Sequence, residues 1–297
     1  MGVKKVGVIG AGTMGQGISE MLAEHGIDVL LIDKTTRDLE HARRNIEISL
    51  DRQLEKWAIT EAEKKVIMSK IQFTLDIHLL READLVIESI IEDLEAKKRV
   101  FKQLDEVCSK NTILASNTST LSLTEIAAAT SRPDKVIGLH FLHPVAKIDL
   151  VEMIRGLKTS DETVAFAKRF VNQINKEGIQ VYESPGFVTT RLIVTLINEA
   201  LHTLMEGVAS AEDIDKAMKI GYDFHYGPLE MADRFGLDSV LASMERLFRD
   251  YGDLKYRPSP LLRKMVRANH LGVKTGEGFF KYDENGERIV ERSEEKQ

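Results

Sequence analysis

His140 lies in the run Gly138-Leu139-His140-Phe141-Leu142-His143-Pro144, and Glu152 lies just downstream in Leu150-Val151-Glu152-Met153-Ile154. Both runs are short and apolar, and the second begins within reach of the first, so the two read as neighbouring strands that set His140 beside Glu152. A neutral imidazole next to a carboxylate makes a base whose tautomer is fixed by its partner. Such a base can take the proton of an alcohol while the alcohol carbon gives up hydride, and the carboxylate then stabilises the imidazolium. Spacing alone leaves a structural histidine–glutamate contact as the alternative.

A hydride needs an acceptor, and Gly10-Ala11-Gly12-Thr13-Met14-Gly15 matches the G-x-G-x-x-G pattern of dinucleotide sites. The context supports the match. A strand leads in, an amphipathic helix (Met14–Glu24) leads out, Gly26 closes that helix, and a second strand ends at Asp33. Gly10 permits the tight turn, Gly12 lets the backbone approach a pyrophosphate, and Gly15 lets helix and strand pack closely. The pyrophosphate is expected on the free N–H groups and positive dipole end of the helix. Asp33 is placed to accept from ribose hydroxyls and to repel a 2′-phosphate, which favours NAD over NADP. Lys34 and Arg37 follow directly and pull the other way.

These groups need a scaffold. Val- and Ile-rich runs alternate with helix-period segments as far as residue 183, which predicts a Rossmann-type, mostly parallel sheet built from βαβ units. The expected strands are Lys5–Ile9, Asp28–Ile32, Ile71–Leu75, Leu85–Glu88, Thr112–Ser116, Val136–Phe141, Leu150–Ile154 and Gln180–Val181. The charged stretch Thr36 to Lys70 is too long for a crossover loop and reads as an inserted helical hairpin. Glu183-Ser184-Pro185-Gly186 ends the alternation, which divides the chain into residues 1–183 and an all-α domain of residues 184–297. That domain opens with a helix over Phe187–Gly207 whose apolar face carries Leu192, Val194, Leu196, Ile197, Leu201 and Leu204. Breaks are expected at Gly221, Gly227-Pro228, Arg257–Pro260 and Gly276–Gly278. A domain this small with so much apolar helix surface predicts a homodimer.

Composition bounds the rest. The 297 residues carry 41 basic and 47 acidic side chains, a net charge of −6, so nothing points to nucleic acid. An anionic ligand must find a local basic patch. The single cysteine, Cys108, excludes an internal disulfide, fits a reducing cytoplasm and reads as a small core residue. No signal-peptide pattern and no apolar run of membrane-spanning length is present, so a soluble, cytoplasmic protein is expected.

Several segments occur together in order: Val86–Glu92, Ser116-Asn117-Thr118-Ser119-Thr120-Leu121, the His140 and Glu152 blocks, Pro185-Gly186-Phe187 and Lys274-Thr275-Gly276-Glu277-Gly278-Phe279. As a set they resemble the short-chain L-3-hydroxyacyl-CoA (3-hydroxybutyryl-CoA) dehydrogenases over essentially the whole chain. The resemblance implies NAD-dependent, reversible oxidation of an L-3-hydroxyacyl-CoA to the 3-oxoacyl-CoA in fatty acid metabolism. It implies His140 as base, Glu152 as its orienting carboxylate and Ser119 as a hydrogen-bond donor to the reacting oxygen. Ser119 follows a strand at its carboxyl end, where ligands bind; a helix N-cap with Thr120 is its alternative. Glu92 and Lys97 match residues near the nicotinamide end, with an ordinary surface pair as their alternative.

Two positions depart from the family pattern. His143 stands where an asparagine is usual, and Thr190 replaces an asparagine in the first helix of the second domain. Both flank the substrate in the family, so substrate choice and turnover are what they bear on. Arg37, Arg43 and Arg44 on the hairpin offer cations for the phosphates of coenzyme A, with Arg43 and Arg44 the pair singled out for substrate binding. The rival readings are a dehydrogenase of 3-hydroxy acids lacking coenzyme A, of gulonate or carnitine type, and a non-catalytic dinucleotide-binding protein.

Overall fold

Runs rich in Val and Ile cannot leave both faces of a strand in water, and here they bury both. In the computed structural model, which describes residues 2–289, they build one sheet of eight strands. In chain order the sheet unit contains β1 (Lys5–Ile9), α1 (Thr13–Glu24), β2 (Asp28–Ile32), α2 (Thr36–Glu55), α3 (Glu61–Ser69) and β3 (Ile71–Thr74). It continues with β4 (Leu85–Glu88), α4 (Leu94–Val107), β5 (Ile113–Ser116), α5 (Leu123–Ala127), β6 (Val136–Phe141), β7 (Leu150–Arg155), α6 (Asp161–Gln173) and β8 (Glu177–Tyr182). The spatial order is β3-β2-β1-β4-β5-β6-β7-β8, parallel throughout except that β7 runs antiparallel to β6. Parallel central strands lie between two layers of helix, which is why β4 is buried along its whole length and reads as unbroken apolar sequence. The expected Rossmann-type fold is therefore present.

The hairpin is α2 and α3. Thr35 caps α2 by accepting from the Asp38 N–H at 3.1 Å, and Thr60 with Glu63 forms a reciprocal capping box on α3. Leu39, Ala42, Ile46 and Leu50 of α2 are buried at helical spacing. Polar contacts with α1 follow the same spacing. Asn45 donates to Gln16 at 3.1 Å, Ser49 to Glu20 at 2.7 Å, and Gln53 to Glu20 at 3.1 Å and Glu24 at 2.9 Å. Burial, against the hydrogen bonds from Ser49 and Gln53, pushes the Glu20 carboxyl up to about 7.

The chain divides into two compact units between Ser184 and Pro185. The second unit is helical, with α7 (Thr189–Met205), α8 (Ala211–Tyr222), α9 (Pro228–Phe235), α10 (Leu237–Tyr251) and α11 (Pro260–Arg267). Its own core takes Val194, Ile197 and Leu201 of α7 together with Leu229, Val240, Met244, Leu247 and Leu262. Leu192, expected on the same apolar face, is instead 67% exposed.

Boundaries differ from expectation where apolar signal is weak. Edge strand β8 is mostly solvent-facing, so its polar residues concealed all but Gln180 and Val181, and the strand extends over Glu177–Tyr182. Helix α8 runs through Gly221, because the left-handed residue that ends it is Asp223 (φ 59°). The stretch from Gly272 to Arg288 holds one short 3-10 turn, Val273–Thr275, and isolated bridges rather than α-helix. Asp233 holds it by accepting from the Phe279 and Phe280 N–H groups at 2.9 Å and from the Tyr282 hydroxyl at 3.0 Å. A Cβ at Gly278 would come within 2.0 Å of the Asp233 carboxylate, which accounts for the second glycine of the Lys274–Phe279 motif. Cys108 is buried, and burial pushes its thiol up to about 11, as suits a core residue.

Candidate active site

Strands β1, β4, β5 and β6 are mutually parallel, so their carboxyl ends lie along one edge of the sheet. The groups singled out for chemistry in the first unit collect along that edge. The turn after β1 has Gly10 at φ 102°, and a Cβ on Gly15 would meet the Gly10 carbonyl oxygen at 1.8 Å. Glycine is required at both positions. A Cβ on Gly12 would meet nothing within 4 Å, and α1 begins there with no side-chain cap. An open cradle over an uncapped helix start fits a pyrophosphate, whose oxygens would take those N–H groups. Asp33 follows β2 and its carboxylate accepts from the Ala11 N–H at 2.6 Å, which brings it against the same turn. The residues present thus fit a dinucleotide.

His140 and Glu152 face each other in register across β6 and β7. His140 Nδ1 lies 2.6 Å from Glu152 Oε2; the carboxylate side chain is fully buried and the ring is 8% exposed. Bonding through Nδ1 places the hydrogen on that atom and leaves Nε2 as the basic nitrogen.

Ser119 sits half-buried in the turn after β5. The helix that follows is capped by Ser122, which accepts from the Glu125 N–H at 3.2 Å, so the capping alternative for Ser119 is excluded. Ser119 is engaged by Glu92 instead. One Glu92 oxygen accepts from the Ser119 N–H at 3.0 Å, the Thr120 N–H at 3.1 Å and the Thr118 hydroxyl at 2.5 Å. Burial raises the Glu92 carboxyl, but the Lys97 ammonium and these hydrogen bonds outweigh it and hold the group below the usual carboxylate range.

Lys97 is 1% exposed, so it is no surface residue. Its ammonium lies 2.6 Å from Glu88 Oε1 and 3.4 Å from Glu92. Glu88, at the end of β4, is fully buried and also accepts from the Ser116 hydroxyl at 2.7 Å and the Ile90 N–H at 2.7 Å. The sequence contained Glu88 and Asn117 inside quoted motifs without assigning either a role. Their function depends on which strands become neighbours, and the only local signal was a carboxylate closing an apolar strand.

The remaining predicted residues lie further out. His143 is exposed in the β6–β7 connection, which Lys176 holds by donating to the carbonyls of Val145 and Ile148 at 2.8 Å. Arg43 and Arg44 are exposed on α2, the Arg43 guanidinium lying 4.5 Å from the centre of the Phe73 ring. Thr190 is half-buried in the first turn of α7, in the second unit. Among the described residues no helix is long and apolar enough to cross a membrane, and no cluster of His, Cys, Asp and Glu could hold a metal ion.

Comparison with known proteins gives the family. Residues 5–184 match the NAD binding domain of 3-hydroxyacyl-CoA dehydrogenase, and residues 186–282 match its C-terminal domain. A 3-hydroxybutyryl-CoA dehydrogenase of Clostridioides difficile is 47% identical over 94% of this chain and 99% of its own length. The mitochondrial hydroxyacyl-coenzyme A dehydrogenase of Homo sapiens is 39% identical over 94% of this chain and 91% of its own. The crystal structure of an (S)-3-hydroxybutyryl-CoA dehydrogenase from Ralstonia eutropha superposes with a TM-score of 0.89 at 43% identity. It covers 95% of this chain and 100% of that one.

Proposed function

Since the chain belongs to the 3-hydroxyacyl-CoA dehydrogenase family, we propose that His140, oriented by Glu152, is the base with which it oxidises an L-3-hydroxyacyl-CoA to the 3-oxoacyl-CoA. The observation that carries this reading is the 2.6 Å contact between His140 Nδ1 and the buried Glu152 carboxylate. His140 Nε2 takes the proton of the 3-hydroxyl. NAD, when bound, supplies the acceptor for the hydride that leaves the same carbon, so proton and electron pair are both accounted for. Glu152 stabilises the imidazolium that results and keeps the ring from turning. Ser119 donates its hydroxyl to the reacting oxygen, and Glu92 fixes the turn that presents it. Gly10, Gly12 and Gly15 hold the pyrophosphate, and Asp33 holds the adenosine ribose. Lys97 acts at one remove, by holding Glu92. Run in reverse, the same groups return the proton to the 3-oxo oxygen.

The acyl-CoA carries its charge at the far end from the reacting carbon. Arg43 and Arg44 are the cations assigned to those phosphates. Loss of NADH absorbance with acetoacetyl-CoA, absent with free 3-oxo acids and with NADPH, tests the substrate class and the cofactor together. Replacing Arg43 and Arg44 by alanine should raise the KM for acetoacetyl-CoA about tenfold, as loss of one or two screened ion pairs implies. The KM for NADH should stay the same. Equal KM values for acetoacetyl-CoA in variant and parent would remove the two arginines from the site.

A homodimer is the other part of this proposal. Leu192, Val208, Ile220 and Tyr222 of the helical unit are between 67% and 76% exposed, more apolar surface than a small solitary unit comfortably shows to water. A mass in solution of about twice 33.4 kDa is expected by light scattering. A monomer at micromolar concentration would end this part of the proposal.

A further inference from the structure

Strand β6 runs further than the strand beside it. The β5–β6 pairing ends with Ser116 opposite Gly138, so Leu139, His140 and Phe141 extend past the last β5 residue. The Phe141 N–H, adjacent to the base, would therefore lack a ladder partner on that side. Asn117 supplies one: its side-chain oxygen Oδ1 accepts from Phe141 N–H at 2.9 Å, doing with a side chain what another strand residue would have done. Since an N–H must meet an acceptor, the amide orientation is dictated, and Nδ2 points the other way. There it donates to the Ser89 hydroxyl at 3.2 Å.

Ser89 is the residue that touches the dinucleotide turn. Its N–H donates to the Ile9 carbonyl at 2.7 Å, and its carbonyl oxygen lies 2.5 Å from where a Cβ of Gly10 would be. The Asn117 N–H itself donates to the Glu88 carbonyl at 2.8 Å. A continuous hydrogen-bonded path thus runs from the end of β1, through Ser89 and Asn117, to the backbone beside His140. Resting on the reading above, we infer that Asn117 is a positioning residue that sets the distance between the dinucleotide turn and the catalytic base. Both functions of the amide are used, from two separate atoms on opposite sides; a hydroxyl would have to do both from one atom, and an aliphatic side chain does neither.

Hydride transfer is sensitive to this spacing, since misplacement by about 1 Å can cost on the order of 10²-fold in rate. For Asn117→Ala we expect kcat for acetoacetyl-CoA reduction to fall about 30- to 100-fold, with the NADH Kd within about twofold of the parent. The deuterium isotope effect with NADH labelled at the transferred position should rise, because hydride transfer then limits turnover. Asn117→Asp keeps an acceptor for Phe141 and lets Ser89 donate to the carboxylate, so it should retain kcat within about fivefold. Ser89→Ala removes only the link to the turn and should give an intermediate fall with the same rise in isotope effect. It carries the test if Asn117→Ala does not accumulate folded. An isotope effect and kcat at parental values in Asn117→Ala would overturn the inference. So would kcat and NADH affinity falling together with no recovery in Asn117→Asp. If the parent itself turns over no acyl-CoA, the functional reading fails; an active parent matched by Asn117→Ala removes Asn117 alone.

Discussion

His140→Gln should lower kcat by about 10²- to 10⁴-fold while leaving the affinity for NADH within about twofold. Glutamine is close to histidine in reach and can still donate to Glu152 Oε2, which His140 Nδ1 meets at 2.6 Å, so the buried carboxylate keeps a partner and the sheet is not disturbed. What disappears is the ring nitrogen that serves as proton acceptor. The dinucleotide turn lies after β1, three strands away from β6 in the sheet order, and its own contacts are with Asp33, Ser89 and α1. Binding and proton transfer are therefore separable in the measurement: fluorescence titration of NADH against steady-state turnover of acetoacetyl-CoA. A variant that turns over within threefold of the parent would remove His140 from the base position. Loss of NADH binding in proportion to turnover would instead make the pair a structural contact, the alternative that spacing left open.

His140 and Glu152 were legible because their strands neighbour each other in sequence as well as in space, and period-two alternation then fixes which side chains share a face. The dinucleotide turn was legible for a similar reason, since strand, glycines, helix and Asp33 all fall within one βαβ unit. Glu88 and Asn117 were not. Glu88 ends a strand that lies beside β1 and β5 only because the chain crosses over the sheet, and its partners Lys97 and Ser116 come from other segments. A buried polar network is a property of non-local packing, and apolar periodicity carries no trace of it. The ends of edge strand β8, beyond Gln180 and Val181, escaped for the opposite reason. Exposed on one side, the strand has no need of the apolar run by which buried strands are recognised. Ser119 shows a third case: its neighbour Ser122 caps α5, and only the position of the helix start separated the two serines.

Lys97→Met should destabilise the sheet unit by about 3–5 kcal/mol, the usual consequence of removing one partner from a buried ion pair. Glu88 is fully buried, and with Lys97 gone it retains the Ser116 hydroxyl and the Ile90 N–H but loses the counter-charge at 2.6 Å. Methionine fills much of the lysine stem's volume, so the loss is electrostatic rather than a cavity. The melting transition should fall by roughly 10 °C, taking a few degrees per kcal/mol for a unit of this size. Pairing the change with Glu88→Gln should restore more than half of the loss, because the charge left without a partner is then absent; the double-mutant cycle isolates that coupling. Activity should respond as well, since Glu92 loses the ammonium 3.4 Å away and with it part of its hold on the turn that carries Ser119. A melting transition within 2 °C of the parent, or a double variant no more stable than Lys97→Met alone, would show that the pair is not the element that braces this edge of the sheet.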